Sequence, residues 1–318
     1  MLGSFLGNLL YAATWLVAKL PPRPTVKLAG GLGRMAARLG LSRRRVAEEN
    51  IRRAFGDSMS AREVRRIAID ATGNLYMGVV ESVFLSHRPP EWVNSLVEEV
   101  ERGELMPPRG EAAISISGHF GSWELLGAWF AQRLHIATAA KPLHNPHVQA
   151  HVARARARVG LEILWVQGDD LMVRIGNALS RGRIVNLLYD QDAGVHGAFV
   201  PFFGHPASTI LTPAIIAIRK RLMIRPAFIV RIGPCRHRIV IRPPIDPKEF
   251  KGPLEERAHA IMQRLNAEIE DLVRLYPTQY FWHHRRWRTT PEAARKRLET
   301  LERRRKERAA GEAGKGGS

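Results

Sequence analysis

The chain has 318 residues, a single cysteine, 49 Lys plus Arg and 30 Asp plus Glu, for a formal net charge of +19. That length buries a sizeable core in one large domain or two modest ones, and a lone Cys235 excludes both an intramolecular disulfide framework and a multi-cysteine metal site. The positive excess calls for an anionic partner, without choosing among nucleic acid, anionic lipid and acidic protein.

The first eighteen residues carry no charged side chain, and Lys19, Arg23, Lys27, Arg34 and Arg38 follow them. As a helix this run is about 27 Å long, just short of a comfortable bilayer crossing, so residues 1–20 are expected to anchor the chain to a membrane, spanning it or lying on it. If the run spans, the basic residues after it place the remainder in the cytoplasm. Residues 21–110 are expected to form a helical region packed on the core. Gly56-Asp57 marks a turn there, and Ser60 with Glu63 matches a capping box before the run 61–85.

From Ala112 the rhythm changes. Short apolar runs at 112–117, 136–140, 161–167, 184–190, 225–232 and 236–245 predict strands. Amphipathic segments at 123–134, 147–160, 169–182, 212–221 and 253–276 predict helices, and 190–211 is expected to be a loop. The alternation predicts an α/β core over 111–290, with a mostly parallel central sheet flanked by helices. Residues 291–318 are rich in Arg, Lys and Glu and are expected to form a frayed helix with a disordered end.

The stretch GHFGSWELLG (118–127) falls between the first of those strands and its helix. Loops at the carboxyl edge of a parallel sheet are where ligands bind. Gly118 and Gly121 permit a sharp turn and close approach of a substrate. His119 then sits in the loop, and Glu124 lies in the first helical turn. A base with an orienting carboxylate is one reading of the pair; a loop histidine and a helix-end carboxylate is the other. Other chemistries have less behind them. There is no GxSxG elbow, no GxxxxGK[ST] loop, no well-placed GxGxxG and no HExxH spacing. No metal and no cofactor is expected.

GHFGSWEL is followed by KPLHNP (141–146), LLYDQDAGVHGAFVPFFGHPAST (187–209) and YPTQYFWHHRRWRT (276–289). These four blocks, in this order, resemble the bacterial lipid A biosynthesis acyltransferases, the lauroyl- and myristoyl-transferase group. That group belongs to the lysophospholipid acyltransferase-like superfamily with its HxxxxD/E motif, and the phosphatidylinositol mannoside acyltransferases are cousins. The resemblance implies catalytic roles for His119 and Glu124. It implies substrate-binding roles for Lys141, Asn145, Asp190, Gln191, Asp192, Phe202, Phe203, Arg285 and Arg286. The apolar N-terminal stretch is shorter than the resemblance implies.

The implied reaction moves an acyl chain from a thioester, carried by acyl carrier protein or coenzyme A, to a hydroxyl of an anionic glycolipid such as a lipid A precursor. His119 would act as base and Glu124 as its orienting group. Backbone amides around Gly121 and Ser122 would meet the oxyanion, and Lys141, Arg156, Arg158 and Arg286 would meet phosphates. Arg154 and Arg158 share a helix face. The expected location is the bacterial inner membrane, with the catalytic part on the cytoplasmic face and no nucleic-acid partner. Two rivals remain open: transfer to a glycerolipid, mannosyl or ornithine lipid, and a non-enzymatic basic protein that binds nucleic acid.

Overall fold

The computed structural model describes residues 2–102, 107, 110–143, 145–167 and 170–315. Four helices come first: α1 (Leu2–Lys19), α2 (Pro22–Arg38), α3 (Arg44–Phe55) and α4 (Ala61–His87). The Ser60 amide donates to the Glu63 carboxylate at 2.8 Å, and the Glu63 amide donates to Ser60 Oγ at 3.3 Å, so the expected capping box opens α4. Two of the glycines of α2, Gly30 and Gly33, lie against α4. A Cβ on Gly33 would lie 2.8 Å from Tyr76 Cγ and 2.9 Å from the Thr72 carbonyl oxygen.

Strand β1 (Val97–Arg102) follows, then β2 (Ala113–Ser117), α5 (Trp123–Ala131), β3 (Ile136–Ala140), α6 (Pro146–Arg158), β4 (Glu162–Trp165), α7 (Leu171–Ser180) and β5 (Ile184–Leu188). A hairpin of β6 (Ala198–Phe202) and β7 (His205–Thr209) precedes α8 (Thr212–Lys220), β8 (Ile224–Gly233), β9 (Arg236–Ile241), α9 (Leu254–Leu275) and α10 (Pro291–Lys315). Seven strands form one sheet in the order β1-β9-β8-β2-β5-β3-β4. The pairings from β8 to β4 are parallel; β9 turns back antiparallel on β8, and β1 runs parallel to β9. This is the expected α/β fold. Side chains alternate between its two faces. Ala113 and Ile184 pack with Leu125 and Leu126 of α5, while Ile114 and Val185 pack with Ile175 of α7 and Ile269 of α9.

Three expectations need correction. Residues 97–102, read as part of a helical region, supply an edge strand of the sheet. The segment read as a loop contains the β6–β7 hairpin, whose turn residues Phe203 and Gly204 both have positive φ, 49° and 73°, as the favoured two-residue hairpin turns require. The charged tail is helical from Pro291 to Lys315, and 316–318, part of its expected disordered end, lie outside the described residues. Among the described residues no helix is long and apolar enough to cross a membrane, so the spanning form of the 1–20 anchor has no support. Its helix ends at Lys19, two residues before Pro21-Pro22, which stop it from lengthening in that direction.

Candidate active site

The strand register builds the site. β2 and β5 are parallel neighbours, with Ser117 opposite Leu188. Two residues beyond that pair, on the same edge of the sheet, stand His119 and Asp190. The Asp190 carboxylate meets both ends of His119: Oδ1 lies 2.7 Å from the ring nitrogen Nδ1, and Oδ2 accepts from the backbone amide at 2.9 Å. Asp190 is buried, and burial pushes its carboxyl toward neutrality. The adjacent His119 and its two hydrogen bonds, with Arg286 behind them, outweigh that and hold the carboxyl below its ordinary value. An ionised Asp190 can only accept, so His119 carries its proton on Nδ1 and leaves Nε2 as the basic nitrogen. Gln191 Nε2 sits 3.2 Å from that nitrogen.

The loop cannot relax away from this arrangement. At Gly118 a Cβ would fall 2.2 Å from Ile269 Cδ1, and at Gly121, with φ +59°, it would fall 2.0 Å from the Ile229 carbonyl oxygen. The C-terminal segment clamps the loop from the other side. The Gly121 amide donates to the Gln279 carbonyl at 2.9 Å, and the Phe281 amide donates to the His119 carbonyl at 3.0 Å. The Gln279 side chain in turn bonds both the amide and the carbonyl of Arg231 on β8. Underneath, Ser122 Oγ donates to Glu81 of α4 at 2.9 Å. Glu81 is fully buried and paired with Arg231, with His237 3.4 Å away. Burial works against its charge, but Arg231 and His237 prevail and hold it down at about 2.

His119 and Gln191 line a cavity of about 560 Å³, which also takes in Glu124, Lys141 and Arg156. Its remaining wall is largely apolar, with Trp123, Leu161, Trp165, Ile175 and Leu187. A volume of this size and lining suits a small-molecule or acyl ligand. Glu124 does not hold His119. Its two oxygens are taken by Arg156, at 2.6 Å to Nη2 and 3.1 Å to Nε. The expected orienting carboxylate is therefore replaced by Asp190, because α5 carries Glu124 away from the ring while β5 delivers Asp190 to it.

The other expected site residues separate into two groups. Lys141 and Arg156 lie on the cavity with His119. Asn145 caps α6, accepting from the amides of His147 and Val148, and Arg158 is exposed and absent from the cavity wall. Gly121 cannot offer its amide to an oxyanion, because Gln279 holds it. Ser122 spends its hydroxyl on Glu81. Asp192 ties the 190–192 loop to the C-terminal segment through Thr289 and through its amide, which donates to His284 at 2.8 Å. Phe202 and Phe203 are core residues packed among Tyr280, Trp282 and Trp287. Arg286 is only 2% exposed and donates to the Ser208 carbonyl at 2.6 Å and to Thr209 Oγ1 at 2.7 Å. It latches the β6–β7 hairpin and is unavailable to a phosphate, whereas Arg285 beside it is exposed. Sequence reasoning missed the Glu81–Arg231–His237 cluster, whose members lie far apart in the chain. Cys235 is buried, and its thiol is pushed up to about 12, first by burial and then by Glu81, which removes it as a nucleophile.

A histidine whose imidazole is fixed by a buried carboxylate, on the wall of a mainly apolar cavity, is an arrangement able to take a proton from a substrate bound there. The family comparison names the class. Residues 1–289 match the model of the bacterial lipid A biosynthesis acyltransferases, and the chain belongs to that family of acyltransferases. It is 31% identical to the lipid A biosynthesis myristoyltransferase of Escherichia coli K12 over 289 residues, covering 88% of this chain and 85% of that one. It is 27% identical to the lauroyltransferase of the same strain over 285 residues, covering 87% and 90%. The phosphatidylinositol mannoside acyltransferase of Mycobacterium tuberculosis H37Rv is 23% identical over 223 residues, covering 68% and 70%.

Proposed function

We propose that the protein transfers a fatty acyl chain from a thioester to a hydroxyl of a lipid A-type glycolipid. The observation that carries this reading is the Asp190–His119 pair at 2.7 Å on the wall of the 560 Å³ cavity. The acyl chain occupies the apolar cavity, so its thioester carbonyl lies near the imidazole. The acceptor hydroxyl displaces the Gln191 amide from His119 Nε2 and gives that nitrogen its proton as the oxygen attacks the carbonyl carbon. The tetrahedral intermediate collapses, the carbon–sulfur bond breaks, and the departing thiolate takes the proton back from Nε2. Asp190 stabilises the imidazolium between these events. No acyl-enzyme is needed, which suits a site whose Ser122 hydroxyl is bound to Glu81 and a chain whose one cysteine thiol is kept protonated by burial. With the Gly121 amide occupied, the oxyanion falls to the first-turn amides at the positive end of α5. Glu124 acts through Arg156, holding the guanidinium on the cavity wall.

The donor is a thioester of acyl carrier protein or coenzyme A, and the site of action is the cytoplasmic face of the inner membrane. Membrane contact rests on α2. Leu28, Leu32, Met35 and Leu39 recur at helical spacing and are 46–66% exposed, next to exposed Arg23, Lys27 and Arg38. Trp15 and Leu16 of α1 are exposed as well. An apolar stripe flanked by cations is suited to lying in an anionic bilayer interface rather than crossing it.

The test is His119→Ala, assayed with a lauroyl thioester and a phosphorylated glucosamine lipid. Loss of transfer by about 10²–10⁴-fold with an unchanged thermal midpoint is expected. Turnover near that of the unaltered enzyme would reject the base.

A further inference from the structure

Beyond the acyl cavity, a second concave region lies between α3 and the turn at 284–288. Two adjoining hollows of about 350 and 530 Å³ share Val46, Arg285 and Arg288 in their walls. Arg43 completes the first, and Arg53 and Trp287 the second. Four guanidinium groups thus surround one groove, against one carboxylate, Glu49. Arg288 reaches Asp192 at 3.5 Å, but among the described residues Arg43, Arg53 and Arg285 have no ion-pair partner. Unneutralised arginines converging on a hollow repel one another, and an anion would remove that cost. Their field is already felt nearby: Arg43 adds to burial in driving His283 down to about 4. Trp287 supplies an independent sign. It is 6% exposed, and its indole N–H has no hydrogen-bond partner among the described residues. Such a buried donor in the wall of a basic groove is under-used without a ligand.

Two features choose the kind of anion. The hollows are the size of a phosphorylated sugar, whereas an acidic protein surface would meet a broad, convex basic face. The groove also starts where the exposed stripe of α2 ends. Leu39 and Leu41 are 66% and 76% exposed, and Arg43 follows two residues on. A lipid whose chains meet the stripe would bring its headgroup to Arg43. The groove further touches the catalytic loop: His284, in its wall, accepts from the Asp192 amide, two residues from Asp190.

We propose that Arg43, Arg53, Arg285 and Arg288 form a phosphate-binding groove for the sugar-phosphate headgroup of the lipid acceptor, separate from the acyl cavity. The identity of the lipid rests on the transfer reaction proposed above, but the binding does not. The groove reaches the 190–192 loop through His284 and the acyl cavity reaches it through Gln191 and His119, so both substrates would border the same loop. The experiment follows the Trp287 indole N–H resonance, assigned with Trp287→Phe, during titration with glucosamine 1-phosphate, inorganic phosphate and unphosphorylated glucosamine. A saturable shift with the sugar phosphate, a weaker one with inorganic phosphate and none with glucosamine is expected. The Arg43→Gln/Arg285→Gln variant should lose the response, and the equally charged control Arg219→Gln/Lys220→Gln should keep it. In turnover the first variant should raise KM for a phosphorylated acceptor about tenfold or more, with kcat nearly held. No shift in the unaltered protein, a shift equal with glucosamine, or equal binding of inorganic phosphate would overturn the groove while leaving transfer intact. Absence of transfer with a normal titration would instead overturn the reaction alone.

Discussion

A single buried imidazole records how the C-terminal segment is held against the helices. His283 lies 2.8 Å from Thr72 Oγ1 of α4, and burial, reinforced by Arg43, pushes it down from 6.5 to about 4. The folded state therefore favours the neutral ring. Its contribution is fully present above the unfolded value of 6.5 and is lost as pH falls from there toward about 4. Thermal unfolding followed from about pH 7 to about pH 5 should show a falling midpoint, and His283→Gln should flatten that fall. The same slope in both proteins would remove His283 as the cause. The residues that a short motif marks are easier to read than such partners. GHFGS announced a turn and a histidine at the sheet edge, but the carboxylate five residues on meets Arg156 and not the imidazole. Glu124 is close in sequence, while Asp190 is close in space because β5 lies beside β2.

At the scale of elements, what periodicity controls was legible. The six strands and five helices read from the core segment all appear, with ends displaced by a few residues at most. What long-range pairing controls was not. Nothing local in VEEVER marks an edge strand, and it forms only because β9 offers it a partner. The β6–β7 hairpin was hidden because its turn puts a phenylalanine at positive φ, where an asparagine or glycine would have signalled it. α2 shows the same divide. Its apolar spacing gave the helix, but only packing shows that Val26, Ala29, Gly30 and Gly33 face α4 while Leu28, Leu32 and Met35 are left outward. If that outward stripe seats the protein on lipid, Leu28→Gln/Leu32→Gln/Met35→Gln should weaken co-sedimentation with anionic phospholipid vesicles at least tenfold, by roughly the apolar transfer energy lost. The thermal midpoint should hold, since these side chains touch little. Undiminished binding would move membrane contact elsewhere.

Across the whole molecule, residues from distant parts of the chain converge on one loop. α4 supplies Glu81 beneath it, β5 supplies Asp190 beside it, and the segment after α9 supplies Gln279 and Phe281 above it. The four sequence blocks that carry the family likeness meet here for that reason, and several members of those blocks do structural work. Arg286 and Asp192 hold the backbone around the histidine, Arg286 through the Ser208 carbonyl and Thr209 Oγ1 and Asp192 through Thr289. The net charge of +19, which chose no partner by itself, is partly resolved into α2, the cavity mouth and the Arg285 groove. In the proposed reaction, catalysis runs through the His119–Asp190 pair formed across neighbouring parallel strands. Its most direct measurement is single-turnover acyl transfer by Asp190→Asn and Glu124→Gln, side by side. Asp190→Asn should lose about 10²-fold or more, because an amide cannot stabilise the imidazolium and permits the wrong tautomer, while Glu124→Gln loses less. An Asp190→Asn enzyme that keeps its rate while Glu124→Gln abolishes it would contradict the account.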